Sequence, residues 1–279
     1  MRRALLLTAL FCLSLPAAPA AQQSTTGVMT KPWEKFLGSW KLVPGPDGST
    51  TTKIEPESDG GVKISFGCKQ DGSCPSSIIV KYDGKLYKYS NYSEDAKYEA
   101  SFRKIGDRTM QQDWYFNGKQ GATHTWQLSP GGGDTLTRTD QVVSPPGSKK
   151  ITYMYDRSGG PKSTDDPFIG FWKRDWNKGD AWVLTYTSKD EVLELTDSSG
   201  RSYARNCDGK DHPNSASPAG GLYSCRFPDA RTYEVVLKEN GKVFSTVTGK
   251  ISDDGRRMVR TGKSAEGKPE SEEAYEKIK

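Results

Sequence analysis

The sequence predicts an all-β chain, folded as two tandem antiparallel up-and-down β-barrels. Three observations predict it. The chain repeats itself: Phe36-Leu-Gly-Ser-Trp-Lys-Leu42 returns as Phe168-Ile-Gly-Phe-Trp-Lys-Arg174, and Tyr153-Met-Tyr-Asp-Arg157 returns as Glu273-Ala-Tyr-Glu-Lys277. Hairpin signals punctuate both copies, among them Asp71-Gly72, Asp83-Gly84 and Asn117-Gly118, then Asp208-Gly209, Asn240-Gly241 and Asp254-Gly255. Such pairs suit tight hairpins because the central residues take positive φ. Between the turns, residues alternate as half-buried strands do: Trp114 with Phe116, His124 with Trp126 and Leu128, Trp182 with Leu184 and Tyr186. No long run carries a helical period. A succession of local hairpins favours barrels, whose closure removes the strand edges that invite aggregation.

In chain order, Met1-Arg-Arg3, the apolar run Ala4 to Leu15 and the small residues through Ala21 read as a cleavable signal peptide, residues 1–21. The run is too short to span a bilayer, which takes about 20 residues. A polar tether follows. The first repeat covers 32–157, with room for a short helix near Pro32-Trp-Glu-Lys35. Residues 158–167, rich in Gly, Pro and Ser, form a linker, and the second repeat covers 168–279.

Cleavage at 21 removes two arginines and no acid, so the net charge of +5 becomes +3. That charge is spread over mixed Lys, Glu and Asp, which argues against a nucleic-acid partner. With no other membrane-length segment, stable membrane insertion is not expected. The mature chain keeps Cys68, Cys74, Cys207 and Cys225. In an exported protein, periplasmic or secreted, an even count reads as disulfides. Each within-repeat pair brackets turn residues, so Cys68–Cys74 and Cys207–Cys225 are the expected bonds. No histidine or further pair completes a zinc set, so neither metal nor cofactor is expected.

Phe36-Leu-Gly-Ser-Trp-Lys-Leu-Val43 resembles the opening strand of lipocalins and fatty-acid-binding proteins, and Phe168-Ile-Gly-Phe-Trp-Lys173 repeats it. The layout is also similar to exported tandem lipocalin-like proteins of environmental bacteria, whose function is unknown. The resemblance implies calycin-type barrels in which Trp40 and Trp172 plug one end under a cation from the closing strand. Arg157 is the expected cation for Trp40, and Lys277 for Trp172. The closing-strand Arg-x-Tyr that holds a fatty-acid carboxylate in the intracellular relatives is absent: the matching positions are Tyr153-x-Tyr155 and Glu273-x-Tyr275.

No nucleophile elbow, phosphate loop or paired-histidine site is present, and an enzyme is not expected. The remaining signal is aromatic, with 7 Trp, 13 Tyr and 9 Phe, which suits either strand propensity or an amphipathic pocket. The candidate ligand-binding set is Tyr87, Tyr89, Trp114, Phe116, His124, Trp126, Tyr153 and Tyr155, all in the first repeat. The expected function is an exported binding protein holding a small apolar or amphipathic ligand inside a barrel. The alternative is an envelope protein with filled barrels that binds a macromolecular partner through its surface.

Overall fold

In the computed structural model Asp71-Gly72, Asn117-Gly118, Asn240-Gly241 and Asp254-Gly255 lie between paired strands as expected. Asp83-Gly84 instead opens a strand and Asp208-Gly209 joins two strands, in each case without pairing to the strand before it. The structure describes residues 31–45, 51–89, 98–143, 148–163, 165–214 and 221–278; the expected signal peptide, residues 1–21, lies outside them. A 3-10 turn at Glu34–Phe36 precedes β1 (Gly38–Val43). Then come β2 (Thr51–Pro56), β3 (Val62–Cys68), β4 (Ser76–Val80), β5 (Asp83–Lys88), β6 (Tyr98–Gly106), β7 (Thr109–Phe116), β8 (Lys119–Leu128), β9 (Thr135–Val142) and β10 (Ile151–Gly159). The second repeat contributes β11 (Gly170–Gly179), β12 (Val183–Lys189), β13 (Val192–Asp197), β14 (Ser202–Arg205), β15 (Asp211–Pro213), β16 (Leu222–Asp229), β17 (Thr232–Glu239), β18 (Lys242–Ile251), β19 (Arg257–Ser264) and β20 (Pro269–Lys277). At the β7–β8 and β17–β18 tips, Asn117 and Asn240 both take φ 49°, the left-handed conformation that tight hairpins require.

The strands form two ten-stranded antiparallel sheets, each barrel-like, with no ladder between its two end strands among the described residues. Their orders are β4-β3-β2-β11-β10-β9-β8-β7-β6-β5 and β14-β13-β12-β1-β20-β19-β18-β17-β16-β15. The opening strands are exchanged. β1 lies between β12 and β20, opposite Leu184 and Lys277 at Trp40, while β11 lies between β2 and β10, opposite Thr52 and Arg157 at Trp172. The linker 158–167 therefore marks the sequence repeat and not the edge of either sheet: each repeat lends its first strand to the other.

The exchange corrects the expected plug pairs. The Arg157 guanidinium lies 4.1 Å from the Trp172 ring, and Lys277 Nζ lies 5.1 Å from the Trp40 ring. The closing strand supplies its cation to whichever tryptophan lies in the next strand, and exchange makes that the other repeat's. Both plugs are otherwise built alike. Trp40 Nε1 donates to Phe36 O at 2.8 Å and Trp172 Nε1 to Phe168 O at 2.9 Å, each indole being fully buried. Gly170 has φ +148°, and a Cβ there would collide with the Arg157 guanidinium, which donates to the carbonyls of Ile169 and Pro167. Glycine in Gly-x-Trp thus makes room for the cation.

Each sheet wraps its own apolar core. Both expected disulfides form, with Cα atoms 4.1 Å apart for Cys68–Cys74 and 4.2 Å apart for Cys207–Cys225. The second joins the end of β14 to β16, so it ties together the two sides of its sheet that no strand ladder connects.

Candidate ligand-binding site

The registers let the two interiors be compared position by position. Tyr153 pairs with Arg138 in the first sheet, as Glu273 pairs with Arg260 in the second. Arg138 and Arg260 are therefore equivalent, inward-facing arginines on the penultimate strand. Carrying the register across β8 and β18, Trp126 matches Gly249, His124 matches Val247 and Asp140 matches Gly262. Across β7 and β17, Gln112 matches Val235.

These pairs decide which interior is filled. In the first sheet Trp126 is fully buried and its indole donates to Gln112 Oε1 at 3.1 Å; Gln112 Nε2 donates to Tyr89 Oη at 3.0 Å. Arg138 forks onto Asp140 through Nε (2.6 Å) and Nη2 (2.7 Å), and His124 Nδ1 lies 2.7 Å from Asp140 Oδ1. Burial disfavours the Asp140 charge, but Arg138 and His124 outweigh it and hold the carboxyl down at about 2. An ionised carboxylate only accepts, so His124 carries its proton on Nδ1. Burial, reinforced by Arg138, lowers the His124 pKa and keeps the ring neutral.

In the second sheet smaller residues take those places, and a cavity of about 340 Å³ remains. Leu193, Leu195, Val235, Leu237 and Val247 line its apolar walls. Three arginines also line it. Arg201 is paired with Asp197 at 2.8 Å. Arg260 reaches Glu273 at 3.5 Å and the Tyr275 hydroxyl at 3.4 Å, and Tyr275 donates to Glu273 at 2.7 Å. Arg205 has no carboxylate partner among the described residues. Its guanidinium lies over Tyr223 at 4.3 Å and Tyr203 at 5.7 Å, and burial lowers its pKa. A half-buried cation stacked on rings with no counter-charge, beside an apolar cavity, is suited to an anionic head on an apolar body. Among the described residues no cluster of His, Cys, Asp and Glu could hold a metal ion.

The eight candidate residues fall in three places. Tyr89, His124, Trp126, Tyr153 and Tyr155 face the interior of the first sheet, where most of them fill space and Tyr155 also lines a recess. Tyr87 packs on the edge of that core and donates to Asp83 at 3.0 Å. Trp114 and Phe116 instead cluster with Tyr98, and Phe116 meets Phe244 of the second sheet at 5.7 Å. The arginines were missed by a search for aromatics. Their signal was present: Leu136-x-Arg138 and Met258-x-Arg260 place a charge in the apolar phase of a strand in both copies.

No protein-family model, no curated protein and no solved structure matches this chain. Two cysteine pairs at bonding distance fit an oxidising, extracellular environment. No helix among the described residues is long and apolar enough to cross a membrane.

Proposed function

We propose that the protein is an exported, lipocalin-like, non-enzymatic binding protein whose second sheet holds one small amphipathic molecule with an anionic group. The observation that carries this reading is Arg205, an uncompensated guanidinium at the wall of an apolar cavity of about 340 Å³. The signal-like start and the two disulfides support export. A surface-binding role with filled barrels fits the interior of the first sheet and not that of the second.

The test is titration of the full mature chain with 1-anilinonaphthalene-8-sulfonate, alongside native mass spectrometry for a co-purified ligand. The probe should bind saturably, and Arg205→Leu should weaken binding by about tenfold or more, the scale of one charge-assisted hydrogen bond. Unchanged affinity in a folded Arg205→Leu protein would remove the basis of the proposal.

A further inference from the structure

The strand that the second repeat lends to the first sheet brings two donors with no acceptor. Arg174 on β11 pairs in register with Tyr155, and its guanidinium lies 4.3 Å from the Tyr153 ring and 3.9 Å from the Trp176 ring. No carboxylate pairs with it among the described residues, and burial lowers its pKa. The neighbouring Trp176 Nε1 is buried and has no hydrogen-bond partner among the described residues. Buried donors in folded proteins are nearly always satisfied, so an orphan indole N–H beside an uncompensated guanidinium calls for an acceptor.

Both residues line a recess of about 350 Å³ between the two sheets. Arg138 and Tyr155 line it from the first sheet, and Leu42 and Val43 from the exchanged β1. Arg138 is already satisfied by Asp140, so the available charge is that of Arg174. The two flanking rings hold its guanidinium in one plane, which presents a fixed fork. We propose that this recess is a second binding site for a small organic monocarboxylate, with its own arginine, although it shares Glu273 with the lining of the second-sheet cavity. A carboxylate matches the planar fork and gives the indole N–H an acceptor. Leu42, Val43 and Phe66 accommodate a short apolar body. Glu272 and Glu273 also border the recess and repel a second negative charge, which disfavours phosphate.

The site exists once per chain. Equivalence of Trp172 with Trp40 puts Leu42 at the position of Arg174, so the first repeat has no fork to lend in return. The second-sheet cavity and this recess are served by different arginines, which makes the two separable.

The experiment is fluorine NMR on the full mature chain labelled with 5-fluorotryptophan, with the Trp176 resonance assigned through Trp176→Phe. Benzoate is the probe. The Trp176 resonance should shift saturably, and Arg174→Leu should weaken the response by about tenfold or more. Glu272→Gln should tighten it, inorganic phosphate should act at least about tenfold more weakly, and Arg205→Leu should leave it in place. The other tryptophan resonances report whether each variant is folded; if Arg174→Leu is not, Arg174→Lys, which keeps the charge and loses the fork, should weaken the response instead. A Trp176 resonance unmoved by about 10 mM benzoate, an equal response to phosphate, or benzoate binding lost in Arg205→Leu and kept in both Arg174 variants would overturn the site.

Discussion

Single side chains separate the two interiors. Where the first sheet places Trp126, His124 and Asp140, the second places Gly249, Val247 and Gly262, and that difference makes one interior polar and more fully occupied around these residues and the other open there. The buried trio also predicts a pH response. The native His124 pKa lies below that of the unfolded chain, because burial and Arg138 oppose a second proton. Below about pH 6.5 the unfolded state therefore binds more protons than the native state, and stability falls as pH falls toward the native value. Urea melts from pH 7 to pH 5 should show declining stability, and His124→Gln, whose amide can still donate to Asp140, should flatten the decline over that window. An unchanged slope in the variant would mean that other groups set it. Asp140 acts in a lower window, between the ordinary carboxylate range and its native value of about 2.

At the scale of elements, the disulfides do unequal work. Cys68–Cys74 closes a sequence separation of 6 inside one hairpin, whereas Cys207–Cys225 closes 18 and joins β14 to β16 across the open side of the second sheet. In the chain-entropy picture their removal costs about 2 and about 3 kcal/mol respectively. Cys225 also lines the cavity, and Arg205 lies two residues before Cys207. Replacing Cys207 and Cys225 by serine should therefore lower stability more than replacing Cys68 and Cys74, and should alone weaken binding of the sulfonate probe. Thermal melts and titrations of the two double variants check both outcomes. These bonds were legible in the sequence because each brackets local turn residues, and so were the hairpins at Asp71-Gly72, Asn117-Gly118, Asn240-Gly241 and Asp254-Gly255; Asp83-Gly84 and Asp208-Gly209 instead mark where each sheet is left unpaired. The location of the cavity was not. It depends on which residues oppose one another across strands, and the dense aromatics of the first repeat occupy space in their own interior where the second leaves its cavity.

The whole molecule is held together by the exchange of β1 and β11. Both strands carry Gly-x-Trp-Lys, so local pattern cannot reveal which sheet each joins; the assignment of Arg157 to Trp40 failed for that reason. The halves should behave as one unit. A protease site placed between Pro161 and Ser163 and cleaved in the folded protein should leave both fragments in a single particle on gel filtration, parting only in denaturant. Separation in native buffer would mean that each half closes on its own opening strand. Contacts away from the exchange point the same way: Trp182 packs against both cores, and Asn117 at one hairpin tip donates to Glu239 beside the other.

The exchange also sets a timetable. β1 is made well before the segments it bonds to, residues 183–186 and 274–277. The first sheet lacks an interior strand until β11 has emerged, and the second waits for β20. Neither sheet can be completed while the nascent chain is still short. Both depend on contacts of long sequence separation, the kind that form slowly because distant segments must first meet. Loss of residues 274–277 would therefore be felt at β1, distant in sequence, where Trp40 and the strand that carries it would have nothing to pair with on one side.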